Sequence, residues 1–479
     1  MGKQYLSLSS SFFWVLPLLF LFSCNPKEKI LQKPNIIFIM ADDLGWRDGG
    51  IFGSKFYETP NIDKLASSGM LFTHGYAGAA NCAPSRACLI SGQNTPRHGI
   101  YTVANSDRGK SSTRKIVPVE NNTVLGDSLQ TLAAMLKKQG YHTATFGKWH
   151  LSEDPLTYGF DRNVGGDHRG NPGGNGYFAP FNVPGLNDAP VGENLTDRLT
   201  DEAIAFMSDT SGGPKPFFVY LSYYAVHTPL ATKPELLSKY ETKKGNQIHN
   251  NATYAGMLET LDYNIGKLLG YLKENNLSEN TLVVFTSDNG GIRAISRQDP
   301  LRAGKGSYYE GGIRVPFVFS WPGKIAPASV NDQPISNLDI YPTLMDISGA
   351  EHGNNVLDGI SVLPALEGAK LPERDFFFHF PIYLQAYDPD TDGGRDSLFR
   401  TRPGSVIVSG RWKLHQYFED GDLELYDLNS DWSETHNLIH EKKEIAHALL
   451  GKLELWRKET NAPVPTEKNP DYDPDFHIN

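Results

Sequence analysis

The chain has 479 residues, room for one large domain or about two to three ordinary ones around a substantial core. Hydrophobic content of 39%, charged content of 21% and 31 prolines exclude a fibrous or disordered chain and indicate a loop-rich globular one. A formal net charge of -10 argues against a nucleic-acid partner and against docking on an anionic membrane by charge alone, while leaving room for a locally positive pocket.

Lys3 is the only charge ahead of an apolar run, FFWVLPLLFLF at residues 12–22. The run is too short to span a bilayer as a helix and has the layout of an export signal. It ends in LFSC, which is similar to a bacterial lipobox. Residues 1–23 are therefore expected to be a lipoprotein signal peptide, and residues 24–34 a linker. Cys24 is expected to be lipidated, anchoring the protein in the bacterial cell envelope, facing the periplasm or on the outer-membrane surface. An ordinary cleaved signal with an incidental Cys24 is the alternative. Only Cys82 and Cys88 then remain, in a compartment where thiols usually pair. A Cys82–Cys88 disulfide would staple a protein too large to need it, so other chemistry is expected at Cys82.

Four apolar runs read as buried strands that end in polar chemistry. NIIFIM (35–40) leads to Ala41-Asp42-Asp43, and HTATFG (142–147) to Lys148-Trp149-His150. FFVYLSYYAV (217–226) leads to His227, and TLVVFTS (281–287) to Asp288-Asn289-Gly290-Gly291. Helical patterns lie between them: NIDKLASSG stopped by Gly69, SLQTLAAMLKKQG with Gly140 at the C-cap, and GMLETLDYNIGKLLGYLKEN. The alternation predicts an α/β fold with a parallel sheet covered on both faces and ligands bound beyond the strands' carboxyl ends. The glycine-rich stretch at 165–182 is expected to be a long ordered loop that walls a pocket. After about residue 370, SVIVSGRWKLHQYF and LELYDLNSD read as short antiparallel strands and EIAHALLGKLELWRKE as a closing helix. Residues 35–370 are thus expected to be the catalytic domain and 371–479 a C-terminal subdomain.

Asp42, Asp43, Asp288 and Asn289 offer carboxylates and an amide oxygen, a hard donor set suited to one Ca²⁺ or Mg²⁺. A two-metal phosphatase would need further His and Asp ligands. Arg86, Lys148, Lys305, His150 and His227 point to an anion with several oxygens, and sulfate and phosphate esters both qualify.

Cys82-Ala83-Pro84-Ser85-Arg86, followed by Ser91-Gly92, resembles the signature of the type I, formylglycine-dependent sulfatases. GKWHL (147–151) and the order SDNGG, GKG, EGGIRVP look like the family's second and third signatures. ELYDLNSDWSETHNL resembles its C-terminal subdomain. Cys88 departs from the alanine often found there. The resemblance runs from about residue 35 to 322 and implies the alkaline-phosphatase-like fold: a sandwich with a large, mainly parallel sheet flanked by helices, plus a smaller subdomain with a short antiparallel sheet and a helix.

It also implies that Cys82 is oxidised to 3-oxoalanine (Cα-formylglycine) by a formylglycine-generating or anaerobic sulfatase-maturating enzyme before or during export. One Ca²⁺ (or, second, Mg²⁺) is implied at Asp42, Asp43, Asp288, Asn289 and the modified Cys82, whose hydrated aldehyde would be the nucleophile. Lys148, Lys305 and Arg86 would neutralise developing charge. His227 or Lys305 would protonate the leaving alcohol, and His150 would help expel sulfate. The implied substrate is a sulfated carbohydrate, such as algal ulvan or carrageenan or a host glycosaminoglycan, as for the polysaccharide-degrading lipoprotein sulfatases that the chain resembles. Candidate subsite residues are His168, Arg169, Tyr177, Phe178, His379, Tyr383, Arg395 and Arg400. A phosphonate or phosphate monoester hydrolase of the same superfamily is one alternative. An inactive carbohydrate-binding lipoprotein is another, against which the intact Cys82, Lys148, His150, His227 and Lys305 argue.

Overall fold

The computed structural model describes residues 1–6, 33–351 and 355–476. Cys24 and most of the expected signal and linker lie outside the described residues. The strands of the main sheet are β1 (Asn35–Ala41), β2 (Met70–Tyr76), β3 (His142–Gly147), β4 (Arg162–Val164) and β5 (Phe217–Ser222), then β6 (Thr281–Ser287), β7 (Arg314–Ser320), β8 (Ser329–Asn331) and β9 (Ile335–Ser336). They run in the order β4-β3-β5-β1-β6-β7-β2-β8, with β9 also paired to β2. β7 is antiparallel to both its neighbours, and the other pairings are parallel.

Alternation along β1 shows why the sheet is covered twice. Ile37, Ile39 and Ala41 point into one core, with the helices Pro60–Ser67, Leu195–Ser211 and Ala252–Glu274. Ile36, Phe38 and Met40 point into the other, with the helices Cys82–Ser91, Leu132–Lys138 and Ile340–Ser348. Every β1 side chain from Ile36 to Ala41 is fully buried, so cutting Phe38 to Ala would cost about 3–5 kcal/mol. The register aligns Ala41 with Ser287 and Gly147 with Ser222, so the residues that follow β1, β3 and β6 emerge at one edge.

The run 217–226 outlasts its strand. β5 ends at Ser222, and the chain then bends across the end of β1, where Tyr223 donates to the Met40 carbonyl and Val226 to that of Asp42. Tyr223–Val226 stay apolar because they remain buried, not because they pair in the sheet.

Beyond residue 370 come β10 (Asp375–Phe380), β11 (Leu384–Gln385), β12 (Phe399–Thr401), β13 (Gly404–Ser409), β14 (Trp412–Tyr417) and β15 (Leu423–Asp427). β10-β13-β14-β15 form the expected antiparallel sheet, and β11-β12 a separate ribbon. The closing helix, Lys443–Glu459, buries Leu449, Leu453 and Trp456 against Ile407, Leu414 and Leu425. The opposite face carries Phe376, Phe378 and Phe380 onto Tyr76, Tyr308 and Ile313.

A buried ionic knot joins this sheet to the segment before β7. Lys413 Nζ lies 3.0 Å from Glu310 Oε1 and 2.9 Å from Glu434 Oε1, while Arg314 Nε lies 2.7 Å from Glu310 Oε2. The Glu310 backbone N–H donates to Glu434 Oε2 at 2.6 Å. Such knots add little net stability against apolar packing, while removing one partner would leave a buried charge alone.

Candidate active site

Asp42 and Asp43 follow β1, Lys148 and His150 follow β3, His227 lies just past β5, and Asp288 and Asn289 follow β6. Cys82 opens the helix Cys82–Ser91 and points into the same cleft. Its thiol donates toward Asp42 Oδ1 at 3.5 Å and Asp43 Oδ1 at 3.8 Å. Cys82 and Cys88 are both free, and the Cys88 sulfur lies 3.6 Å from His98 Nε2 in the core. The disulfide alternative is thereby set aside.

The cations arrive in pairs with the acids. Lys148 Nζ lies 2.6 Å from Asp42 Oδ2, and Lys305 Nζ lies 2.7 Å from Asp43 Oδ2. Arg86 grips Asp288 Oδ2 with Nε at 3.0 Å and Nη2 at 2.8 Å, and its Nη1 donates to the Lys148 carbonyl and the Ser222 hydroxyl. Asp288 Oδ1 in turn accepts from the Asp43 N–H at 3.1 Å. These side chains are all buried.

Burial, and then the neighbouring Asp288, hold the Asp42 carboxyl well above the usual carboxylate range. Burial would raise Asp43 too, but Lys305 and His227 outweigh it and hold Asp43 below that range. Burial works against the charge on Lys305, yet Asp43 more than compensates and pushes it well above the ordinary lysine value. His150 is driven far down by burial and by Lys148 and Arg86, so it is a neutral imidazole, with Nδ1 buried and unpartnered. His227 is lowered by burial and Lys305. Its Nδ1 faces the Thr228 carbonyl, which can only accept, so the neutral ring carries its proton there. Its Nε2 faces Asp43 Oδ2 at 3.6 Å.

Asp42, Asp43, Cys82 and His227 present donor atoms within 4.8 Å of one another, a group that could hold a metal ion. His227, expected as an acid rather than a ligand, lies in that group. Asn289 donates from Nδ2 to Asp43 Oδ1 at 2.8 Å, while its Oδ1 is buried without a hydrogen-bond partner. An orphaned amide oxygen beside crowded carboxylates fits a hard cation.

The glycine-rich loop does wall the site. Gly170 lies so close to His150 that a Cβ there would come within 2.5 Å of the ring. The expected subsite residues fare differently. Tyr177 is corrected to a buried brace: its hydroxyl donates to the Tyr224 carbonyl at 2.6 Å and the His227 carbonyl at 2.7 Å. His379 is a core residue between Ser405 Oγ (2.8 Å) and the Pro463 carbonyl (2.9 Å), and Tyr383 is buried with its hydroxyl on Glu419. Arg400 is only 5% exposed and donates to backbone carbonyls. The polar atoms named for these four are taken by protein partners rather than offered to a sugar. Arg395 pairs with Asp420 and Asp422, Arg169 with Asp167, and His168 with Glu153, all reachable from solvent, while Phe178 is partly buried. Ser222, which ends β5 under Arg86, and Gly170 were missed. A polar residue closing an apolar strand is a signal for the first; the glycine-rich stretch that holds the second is one for the loop, though not for which glycine meets His150.

Comparison with known proteins agrees with this geometry. A family model described as Sulfatase matches residues 34–350, and one described as N-sulphoglucosamine sulphohydrolase, C-terminal matches 304–459. A sulfatase of Formosa agariphila is 34% identical over 92% of both chains. The N-acetylgalactosamine-6-sulfatase of Canis lupus familiaris is 33% identical over 73% of this chain and 69% of its own. The crystal structure of Ps i-CgsB in complex with k-i-k-neocarrahexaose superposes with a TM-score of 0.75 at 31% identity, covering 90% of this chain and 94% of that one.

Proposed function

The chain belongs to the sulfatase family, and from that premise we propose that it hydrolyses a sulfate ester of a sulfated polysaccharide or its oligosaccharides at the Cys82 cleft. The observation that carries this reading is Cys82 at the head of its helix, facing Asp42 and Asp43 and ringed by Arg86, Lys148, Lys305 and His227. That ring matches an anionic tetrahedral group rather than a neutral one. The carrageenan oligosaccharide bound to Ps i-CgsB and the N-acetylgalactosamine sulfate named for the canine relative support a glycan substrate.

In the proposed scheme Cys82 is converted to formylglycine, and a single Ca²⁺ is held by Asp42, Asp43, Asp288, Asn289 and residue 82. A bound divalent ion would supply Lewis-acid charge stabilisation. Asp42 and Asp43, which pair here with Lys148 and Lys305, would serve as ligands of that ion, so the two lysines would be free to meet the sulfate oxygens while Arg86 holds Asp288. Sulfate entry brings the negative charge that draws a second proton onto His227, which then donates it from Nε2 to the departing sugar oxygen. A hydroxyl of the hydrated residue-82 aldehyde would attack sulfur as the bond to the sugar oxygen breaks, and His150, held neutral, would then take the proton of the second hydroxyl so that sulfate leaves and the aldehyde re-forms. Cys24, with its lipobox-like context, is proposed to anchor the protein in the cell envelope, and Cys24→Ala should release it from the membrane fraction.

The test is activity of matured enzyme on defined sulfated oligosaccharides alongside aryl sulfate and aryl phosphate esters. A kcat/KM that favours phosphate or phosphonate over sulfate would overturn the reading.

A further inference from the structure

Lys305 sits in a segment without helix or strand, so its placement depends on what holds its backbone. The ties come from distant parts of the chain. Lys305 N–H donates to the Gly291 carbonyl at 2.8 Å, just past Asn289, and Gly306 N–H donates to the Ala80 carbonyl at 2.8 Å, just before Cys82. The two carbonyls of the same dipeptide are taken by β12: Arg400 Nη1 donates to Lys305 O at 3.0 Å, and the Thr401 hydroxyl donates to Gly306 O. Gly306 has φ +86, and a Cβ there would come 2.7 Å from Arg400 Nη1, so this close approach needs glycine.

We propose that Arg400 is a positioning residue for Lys305, reached from the C-terminal part of the chain, a role that rests on the catalytic reading of Lys305 given above. The guanidinium bridges two carbonyls, with Nε on Gln385 O at 2.9 Å and Nη1 on Lys305 O, and stacks on the Tyr387 ring with 3.4 Å to its centroid. Among the described residues no carboxylate pairs with it within 4.0 Å. A buried cation without a counter-charge is costly, and a planar fork with fixed N–H directions is what main-chain carbonyls need. A lysine here would keep the charge and lose the bridge. Tyr387 covers the guanidinium, whose two hydrogen bonds tie the Lys305 carbonyl to that of Gln385.

The test is a double-mutant cycle in full-length matured enzyme, assayed on an activated aryl sulfate so that weak variants stay measurable. Arg400→Lys should lower kcat by about 10- to 100-fold, the scale of a misplaced catalytic group. In a Lys305→Ala background the same change should cost less than about twofold, because the group it positions is gone. Effects that multiply in the double variant, or an Arg400→Lys enzyme with wild-type kcat, would overturn the proposal. If Arg400→Lys fails to fold, Thr401→Val removes only the neighbouring hydroxyl; its loss of kcat should likewise vanish without Lys305, and persistence of the loss would count against the proposal. A fully active Lys305→Ala enzyme would instead overturn the catalytic reading of Lys305, a result independent of Arg400.

Discussion

Gly170 and His150 touch: a methyl group placed on Gly170 would lie 2.5 Å from His150 Cε1 and 2.8 Å from Nε2. The backbone at Gly170 is not in the left-handed region, so alanine strains nothing there except the ring it meets. Gly170→Ala should leave the melting temperature within a few degrees of wild type while lowering kcat by about 10- to 100-fold. Thermal melts and steady-state kinetics on one preparation check this, and unchanged kcat would show that His150 tolerates displacement.

The orphaned Asn289 Oδ1 and the crowding of Asp42 by Asp288 lead to an expectation about metal. Elemental analysis should find one calcium per chain. Chelation should lower both activity and melting temperature, since an ion bound only by the native state stabilises it. Asp42→Ala and Asp288→Ala should lose metal and activity together. Zinc, or two ions per chain, would favour a phosphatase.

Peptide mass spectrometry of Cys82 should show conversion of thiol to aldehyde in protein from a host with a maturation system. Cys82→Ala should bind sulfated oligosaccharide without turning it over. A fully active preparation with an unmodified thiol would end the proposed mechanism.

His227 Nε2 faces the cleft and its Nδ1 is fixed by the Thr228 carbonyl. A sugar alkoxide needs a proton as it leaves and a nitrophenolate does not, and acid catalysis contributes about 100- to 10,000-fold. His227→Ala should therefore damage hydrolysis of a sulfated sugar far more than of nitrophenyl sulfate. Equal losses would pass the role to Lys305. His150→Ala should show little leaving-group dependence.

Glu434 gives a pH dependence away from the cleft. Burial raises its carboxyl from 4.5 to about 7, with Lys413 pulling the other way. The folded protein then holds a proton that the unfolded chain has lost, so this group's contribution to stability falls as pH rises from about 4.5 to about 7. Glu434→Gln does not titrate. Its stability relative to wild type should improve between pH 5 and pH 8, by up to about 3 kcal/mol. Denaturant melts at both pH values measure the difference, and a constant gap would show that Lys413 keeps Glu434 ionised.

Much of this architecture was legible in the residues. The apolar runs at 35–40, 142–147 and 281–287 match β1, β3 and β6 closely, because a strand buried on both faces leaves an unbroken apolar stretch ending where the sheet ends. Asp42, Lys148, Asp288 and Asn289 could be found because they stand at those ends. Tyr177, His379 and Arg400 could not be placed, since their partners are the carbonyls of His227, Pro463 and Lys305. A carbonyl is the same in every residue, so no side-chain pattern announces which distant one a hydroxyl or guanidinium will reach. The helix Ala252–Glu274 begins earlier than the periodicity suggested because Asn251 caps it, accepting from the Tyr254 N–H at 3.0 Å.

The burial of Cys82 sets a clock. At 1% exposure in the finished fold, it would offer no surface to a second protein carrying out the conversion proposed for it. Residue 82 leaves the ribosome long before residue 305, which itself precedes the strand that carries Arg400. At about 5–20 residues per second, synthesis of the remainder takes roughly 20–80 seconds. An oxidising catalyst would have to work within that interval, or on a chain kept unfolded for export. Faster folding would then yield less active protein, so a stabilising substitution near the cleft could raise the melting temperature and lower the fraction of molecules that ever become enzymes.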